Sequence, residues 1–451
     1  MTNHLIKSVN PYTLETIGEY SNFDSKMINQ ALLNAEKAFK SERLASFSKK
    51  REKMLKVGDI LRGRKDELAH IITAEMGKTL AEAVAEIEKS ALCCTYFAEE
   101  AERMLKPTTV LTDKKDTILH QPIGAVFAVM PWNFPFWQVF RFAAPTLMAG
   151  NVAILKHAGN VTGCALAIEK VFQEAGFEHV FQTLILDIKD IKKIVQSPIV
   201  QAVTLTGSEK AGASLASLAA KNIKKGVLEL GGSDAFLIMD DADVENAAKN
   251  AIQSRMQNAG QSCLAAKRFF VTEKNFDAFL NFSLKAISNF KQGNPLDPSV
   301  KMGPMARVDL AEALDKQLQD ALTKGAKIVA GGDYQNANFQ PTLITDCTTN
   351  MAVFKEETFG PLGCIFVVKN EKEMITRANQ SRFGLACSVW SNDWKKAEKT
   401  AHLIESGNVF INKMVKSDPK LPFGGIKKSG FGREMGDLGI LEFTNAKVIA
   451  V

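Results

Sequence analysis

Cys263 ends a short polar run, Asn258-Ala259-Gly260-Gln261-Ser262, and is followed by Leu264-Ala265-Ala266. A cysteine delivered in this way is either a nucleophile or a small buried hydrophobe. If it caps a helix, the positive end of the dipole favours its thiolate. Glu229 lies in LELGG, between Leu228 and Leu230. Partial desolvation there raises a carboxyl pKa toward that of a general base; the alternative is an edge glutamate in water. Asn133 sits in MPWNFPFW, 130–137, among aromatic residues and prolines. A buried amide needs partners, so it either braces the turn or offers an N–H to a developing oxyanion. In TLTGSEKAG, 204–212, Gly207 and Ser208 join a strand to a helix. Such a turn can bind a phosphate on free backbone N–H groups, or be an ordinary connection. Lys156 ends NVAILK, 151–156. Ligands of an open sheet gather at strand ends, although a lysine there is often simply solvated.

The elements that must position these residues show in the pattern. Over 25–104, Ile28, Ala31, Ala35, Ala38 and Phe39, and then Val84, Ile87 and Ala91, recur at helical spacing. From about 124 short apolar runs alternate with helical stretches: AVFAVM (125–130), NVAILK (151–156), FQTLILD (181–187) and QAVTLTG (201–207). Strands separated by helices of this length predict right-handed crossovers and a parallel sheet. LELGGSDAFLIM (228–239) begins a second such set, which includes RFFV (268–271) and CIFVV (364–368). PTTVLTDKKDTILHQP (107–122) reads as a hairpin with Asp113-Lys114-Lys115-Asp116 at its polar tip. AKVIAV (446–451) is a bare β-type run. Hairpins alone are marginal, so both segments need a sheet, which a partner subunit can complete.

Composition narrows the class. The 451 residues are 46% hydrophobic and 24% charged, as in soluble globular chains long enough for more than one core. The net charge of +6 is thinly spread, without a basic block for nucleic acid or an anionic membrane. IGAVFAVMPWNFPFWQVF (123–140) is apolar enough to raise a membrane span, but Pro131, Asn133 and Pro135 would break a lone spanning helix. The N-terminus has no basic region followed by an apolar core, and the seven cysteines have no metal-type spacing. The expectation is a cytoplasmic protein with reduced thiols and no metal.

Taken in order along the chain, PWNFP (131–135), LK (155–156), TGS (206–208), LELGG (228–232), GQSC (260–263), EETFGP (356–361), LPFGG (421–425) and SGFGRE (429–434) closely resemble the NAD(P)-dependent aldehyde dehydrogenase superfamily. The resemblance implies an α/β fold with a Rossmann-type cofactor domain (1–106 and 124–229), an α/β catalytic domain (230–425) and a small β oligomerisation flap (107–123 and 426–451). A homodimer or homotetramer follows from that flap. The chain also begins later than many members, so an N-terminal extension is expected to be missing. The resemblance makes Cys263 the nucleophile that attacks an aldehyde, with Asn133 and the Cys263 backbone N–H stabilising the oxyanion. After hydride transfer leaves a thioester, Glu229 would activate the hydrolytic water. Glu357 matches the ligand of the nicotinamide ribose, with Phe359 packed beside it. Trp132, Lys156, Gly207 and Ser208 fall where the family binds the adenosine half and the pyrophosphate.

A few further positions refine cofactor and substrate. NAD-preferring members often carry Glu three residues after the strand-end lysine; here that residue is Gly159. With no carboxylate to repel a 2′-phosphate and Lys156 to attract one, NADP is favoured and NAD is not excluded. The runs 131–158 and 415–425 look most like the short bacterial succinate-semialdehyde dehydrogenases. By that resemblance Arg141 and Ser417 would meet the substrate carboxylate, an arginine being suited to it by its two-pronged donor geometry. The alternative for Arg141 is a structural salt bridge. Longer relatives place a second arginine six residues before the cysteine, where this chain has Gln257, with Arg255 two positions away. Phe134, Phe136 and Trp137 would also suit a less polar aldehyde. The competing readings are a broad-specificity aldehyde dehydrogenase, a CoA-acylating enzyme (which typically lacks the glutamate base) and a binding or structural protein on the same fold.

Overall fold

The computed structural model describes residues 5–111 and 115–451. Four helices, Ser25–Glu42, Phe47–Gly63, Lys65–Met76 and Leu80–Met104, occupy the region of helical periodicity. Their ends follow local chemistry. Asp24 and Ser46 cap the first two, and Thr79 and Glu82 form a reciprocal capping box on the fourth. Gly77, at φ 85°, ends the third in a left-handed conformation that a Cβ would disfavour. Before them lies a hairpin, Leu5–Val9 with Thr16–Ser21, whose short polar-rich strands carry too little alternation to be read from sequence.

The first sheet runs in the order Gly430–Phe431, Lys225–Glu229, Val200–Thr206, Ala125–Met130, Val152–His157, Phe181–Thr183. Only Gly430–Phe431 is antiparallel to its neighbour. The chain moves outward from Ala125–Met130 through Val152–His157 to Phe181–Thr183, then returns to lay Val200–Thr206 on the other side. The loops after Ala125–Met130 and Val200–Thr206 therefore diverge and leave a crevice at the carboxyl ends, where open α/β sheets bind ligands. The second sheet runs Lys327–Ala330, Thr342–Thr345, Leu362–Val368, Arg268–Thr272, Ala235–Ile238, Ala386–Trp390, Asn408–Ile411. Buried apolar side chains form one cluster around each sheet.

Two segments differ from the sequence pattern. Leu228 and Glu229 close the first sheet and do not open the second, which starts at Ala235. Only Phe181–Thr183 of the 181–187 run is strand. Thr108–Leu111, Lys115–Pro122 and Thr444–Ile449 form a separate antiparallel sheet, with Lys115–Pro122 in the middle. Asp113 and Lys114 of the hairpin tip lie outside the described residues. The 123–140 run is a strand, a turn and the start of helix Trp137–Met148, which is buried on every side. No described helix is long and apolar enough to cross a membrane.

Candidate active site

Helix Val244–Met256 ends just before the cysteine run, and the chain reverses through Asn258 and Ala259 at φ 55° and 49°. Left-handed non-glycine residues cost on the order of 1–3 kcal/mol each and persist where their surroundings over-determine them. Here they do. Glu82 Oε1 accepts the Asn258 N–H at 2.7 Å, and Asn258 Nδ2 donates to the carbonyls of Asn133 (2.8 Å) and Gln261 (3.1 Å). Gln261 Oε1 accepts the Ala306 N–H at 2.8 Å. Gly260, at φ 70°, lies so close to Gly360 that a Cβ would stand 2.1 Å from its carbonyl oxygen. Cys263 therefore sits in a turn, not at a helix N-terminus as its capping position would have required, and receives no help from a dipole.

The other half of the site arrives from the first sheet. Asn133 follows strand Ala125–Met130; its Nδ2 donates to the Gln261 carbonyl at 3.0 Å and ties the two loops together. His157 braces the same turn. Its Nδ1 accepts the Ala158 N–H, which leaves Nε2 to donate to the Pro135 carbonyl at 2.9 Å. Burial lowers its pKa to about 4, so it remains neutral. The helix that starts at Trp137 has no cap of its own. Glu86 Oε1 accepts the N–H groups of Phe136 and Trp137 at 2.8 and 3.0 Å, supplying the missing acceptor from another helix.

Two cavities meet at the cysteine. One, of about 220 Å³, is lined by Trp132, Asn133, Gly207, Ser208, Glu357 and Phe359. Trp132 and Phe359 stand edge to face, their ring centres 5.7 Å apart. The other, of about 500 Å³, is lined by Lys89, Trp137, Arg141, Gln257, Lys416 and Ser417. Cys263 and Gln138 line both. Six of the seven cysteines are buried; Cys263 is the one that is not.

The first cavity lies at the carboxyl ends of the first sheet's strands and is lined by groups that suit part of a dinucleotide. Ser208 caps helix Glu209–Lys221 at the switch point of the sheet, the arrangement that binds phosphates. Glu357 faces the cavity with Oε1 accepting the Gly232 N–H at 3.0 Å, and a Cβ on Gly231 would lie 2.4 Å from its other oxygen. Lys156 is the penultimate residue of strand Val152–His157, half-buried and with no ion pair to a described residue. A Cβ on Gly159 would come within 2.9 Å of Ile6 in the N-terminal hairpin, so the hairpin crowds the place where a carboxylate would stand. Neither Lys156 nor Gly159 lines the two cavities at the cysteine. No group of metal-ligating side chains occurs among the described residues.

The description "Aldehyde dehydrogenase family" matches residues 1–449. A probable NADP(+) succinate-semialdehyde dehydrogenase of Synechocystis sp. is 46% identical, covering 98% of this chain and 99% of its own. An aldehyde dehydrogenase of Paenarthrobacter nicotinovorans is 42% identical over the same shares. The solved structure of a Streptococcus pyogenes succinic semialdehyde dehydrogenase with NADP+ superposes with a TM-score of 0.97 at 36% identity, covering 99% of each chain. The chain belongs to the aldehyde dehydrogenase family.

Three residues of this aldehyde dehydrogenase stand in surroundings that their motifs alone do not define. Burial pushes the Cys263 thiol up to about 12; Arg141 and Lys267 act against that, while Glu357 and Glu229 add to it. Glu229 lines neither cavity. Its carboxyl is turned into a buried group with Arg141 and Glu434, where neither oxygen forms a well-shaped hydrogen bond with a described residue. Burial holds its pKa well above the usual carboxylate range, with Arg141 opposing and Glu434 reinforcing the shift. Arg141 lines the larger cavity but is ion-paired with Glu434 and donates to Thr206 Oγ1 at 3.3 Å. It thus carries the salt bridge that was its alternative reading while remaining at the cavity wall.

Two lysines also escaped the sequence. Lys267, fully buried, donates to the Ser262 and Cys263 carbonyls at 2.9 and 2.8 Å and lies 3.5 Å from Glu357. It links the Cys263 turn to the first cavity. Lys89, on helix Leu80–Met104, reaches the larger cavity from 174 positions before the cysteine (263 minus 89). Glu434 belonged to a recognisable run, SGFGRE, that had no role assigned. Arg255 is spent in the core, donating to the Thr358 and Gly260 carbonyls, and Gln257 alone of that pair lines the cavity.

Proposed function

We propose that the chain oxidises succinate semialdehyde to succinate with NADP, NAD being a possible substitute, through a covalent thioester on Cys263. The observation that carries this reading is the placement of one accessible cysteine where a cavity at the switch point of the first sheet and a cation-lined cavity meet. The relatives named for succinate semialdehyde and NADP support the choice of substrate and cofactor, as do the absence of a carboxylate at Gly159 and the nearby Lys156.

In this reading the Cys263 sulfur, on losing its proton, adds to the aldehyde carbon. The oxygen gathers charge beside Asn133 Nδ2 and the Cys263 N–H, preorganised donors that a polar turn would otherwise have to recruit. Glu357 and Ser208, which line the smaller cavity, would hold the ribose and a phosphate of NADP, with Lys156 on a neighbouring strand outside that cavity, and the bound cofactor would supply the hydride acceptor. The resulting thioester needs a water and a base. Glu229 fills that role by swinging out from Arg141 and Glu434 to take the water's proton; expulsion of the thiolate then releases the acid. A carboxylate with a raised pKa is well matched to that proton. The intact glutamate speaks for hydrolysis over transfer to CoA.

The cofactor-binding unit is assigned to 1–106 and 124–229, the catalytic unit to 230–425, and the association segments to 107–123 and 426–451. Exposed Val448 and Ile449 on strand Thr444–Ile449 support a homodimer or homotetramer built on that sheet. The setting is cytoplasmic.

Steady-state kinetics test the reading, with succinate semialdehyde and butyraldehyde each paired with NADP and NAD. A carboxylate contact kept in the transition state gives about a ten- to hundredfold preference in kcat/KM. Equal rates for the two aldehydes would leave a general aldehyde dehydrogenase, a result that Phe134 and Trp137 in the cavity wall would explain. A large preference for NAD would contradict the cofactor choice.

A further inference from the structure

The cations of the larger cavity are not equivalent. Arg141 is neutralised by Glu434. Lys416 is exposed. Lys89 is half-buried, has no carboxylate within ion-pair distance among the described residues, and lies 4.0 Å over the ring of Trp137. Its Nζ donates to Ser417 Oγ at 2.8 Å. Trp137 Nε1 donates to the same oxygen at 3.1 Å. A hydroxyl oxygen has two acceptor sites and one proton. Both acceptor sites of Ser417 are therefore used, and its proton is left to point at an acceptor. Lys89 retains two further N–H groups. This corner of the cavity thus offers donors for which the contacts above supply no further acceptor.

The carboxylates nearby do not supply one. Glu86, one turn before Lys89, accepts from the Phe136 and Trp137 N–H groups and is ion-paired with Lys78. Glu82 accepts from Asn258 and from Thr79. Both are occupied in holding the loops that carry Asn133 and Cys263. A buried corner of unmatched donors beside an ammonium is what an incoming carboxylate satisfies.

We propose that Lys89 and the Ser417 hydroxyl together hold the distal carboxylate of the substrate and make the chain selective for a short aldehyde that ends in a carboxylate. This rests on the succinate-semialdehyde reading above and adds to it the residue that enforces it. Arg141 then serves as the wall behind the site, its charge shared with Glu434. Lys89 adopts the role of the missing arginine at 257 from an entirely different element.

The test compares the ratio of kcat/KM for succinate semialdehyde over butyraldehyde, at saturating NADP, in the wild-type chain and in Lys89→Met, Lys89→Gln and Lys89→Arg. Methionine keeps the apolar stem over Trp137, glutamine keeps a donor for Ser417, and arginine keeps the charge. The expected result is a ratio lowered about ten- to a hundredfold in Lys89→Met and Lys89→Gln, chiefly through KM for succinate semialdehyde, and largely restored in Lys89→Arg. Wild-type selectivity that survives in the methionine or glutamine variant overturns the role of Lys89 and leaves the succinate-semialdehyde reading standing. A wild-type ratio near one overturns that reading itself, and this proposal with it, before any variant is made.

Discussion

The two cavities that meet at Cys263 are built by different means. The cofactor side is made of backbone and closely spaced residues: Trp132 and Asn133 in one turn, Gly207 and Ser208 in another, Glu357 and Phe359 in a third. Its fit depends on glycines that let chains touch, such as Gly231 against Glu357 and Gly260 against Gly360. The substrate side is made of side chains gathered from a helix near the N-terminus, the helix after Asn133, the nucleophile loop and the 414–417 segment. Backbone cradles of the first kind force short runs of fixed residue types. A wall of the second kind fixes only where a few long side chains end, so its residues can change with the substrate.

Changes at the junction should abolish turnover while leaving cofactor binding, and those on either side should separate cofactor from substrate effects. Cys263→Ala is expected to lower kcat/KM on the order of 10⁴-fold or more, while NADP binding, read by fluorescence titration, stays within a few-fold. Asn133→Ala should cost kcat about 10²- to 10³-fold, the usual effect of removing one oxyanion donor. Part of that loss would reflect its bond to Gln261, and Asn133→Asp, which keeps the shape but not the donor, should be as slow.

Gly260→Ala sharpens the contrast from the cofactor side. Its Cβ would collide with the Gly360 carbonyl in a left-handed conformation, so the loss should be about 1–3 kcal/mol of stability, seen as a lower denaturant midpoint. The smallest effect expected is one of pH. Desolvation, Arg141 and Lys416 lower the Lys89 pKa to about 7, against weaker raising effects from Cys93 and Glu86. The ammonium is then lost as pH rises through about 7, so preference for succinate semialdehyde over butyraldehyde should fall by up to about tenfold toward pH 9. A ratio of the two substrates cancels the general rise in rate that deprotonation of the Cys263 thiol brings. A ratio flat from pH 6 to 9 would remove Lys89 from carboxylate recognition.

This division also explains what was legible in the chain. The alternating strands and helices, the proposed catalytic trio and six residues proposed for the cofactor stand in motifs whose spacing is set by backbone geometry. Lys89 and Lys267 stand in none: each is one lysine among many, made special by where a distant turn ends. The retraction of Glu229 toward Arg141 and Glu434 is likewise a matter of side-chain packing between segments 88, 205 and 293 positions apart (229 minus 141, 434 minus 229, 434 minus 141). The condition of a helix after Cys263 is not met, for a local reason. Asn258 and Ala259 take left-handed conformations held by Glu82 and Gln261, so the run after the cysteine does not start a helix.

The central claim is that Cys263 carries the substrate as a thioester which Glu229 helps to hydrolyse. The most direct measurement is mass spectrometry of Glu229→Gln, acid-quenched after mixing with succinate semialdehyde and NADP. The account predicts a succinyl adduct confined to the peptide that contains Cys263, formed only when NADP is present and alongside a burst of reduced cofactor. No adduct despite such a burst, or an adduct on another cysteine, would contradict it.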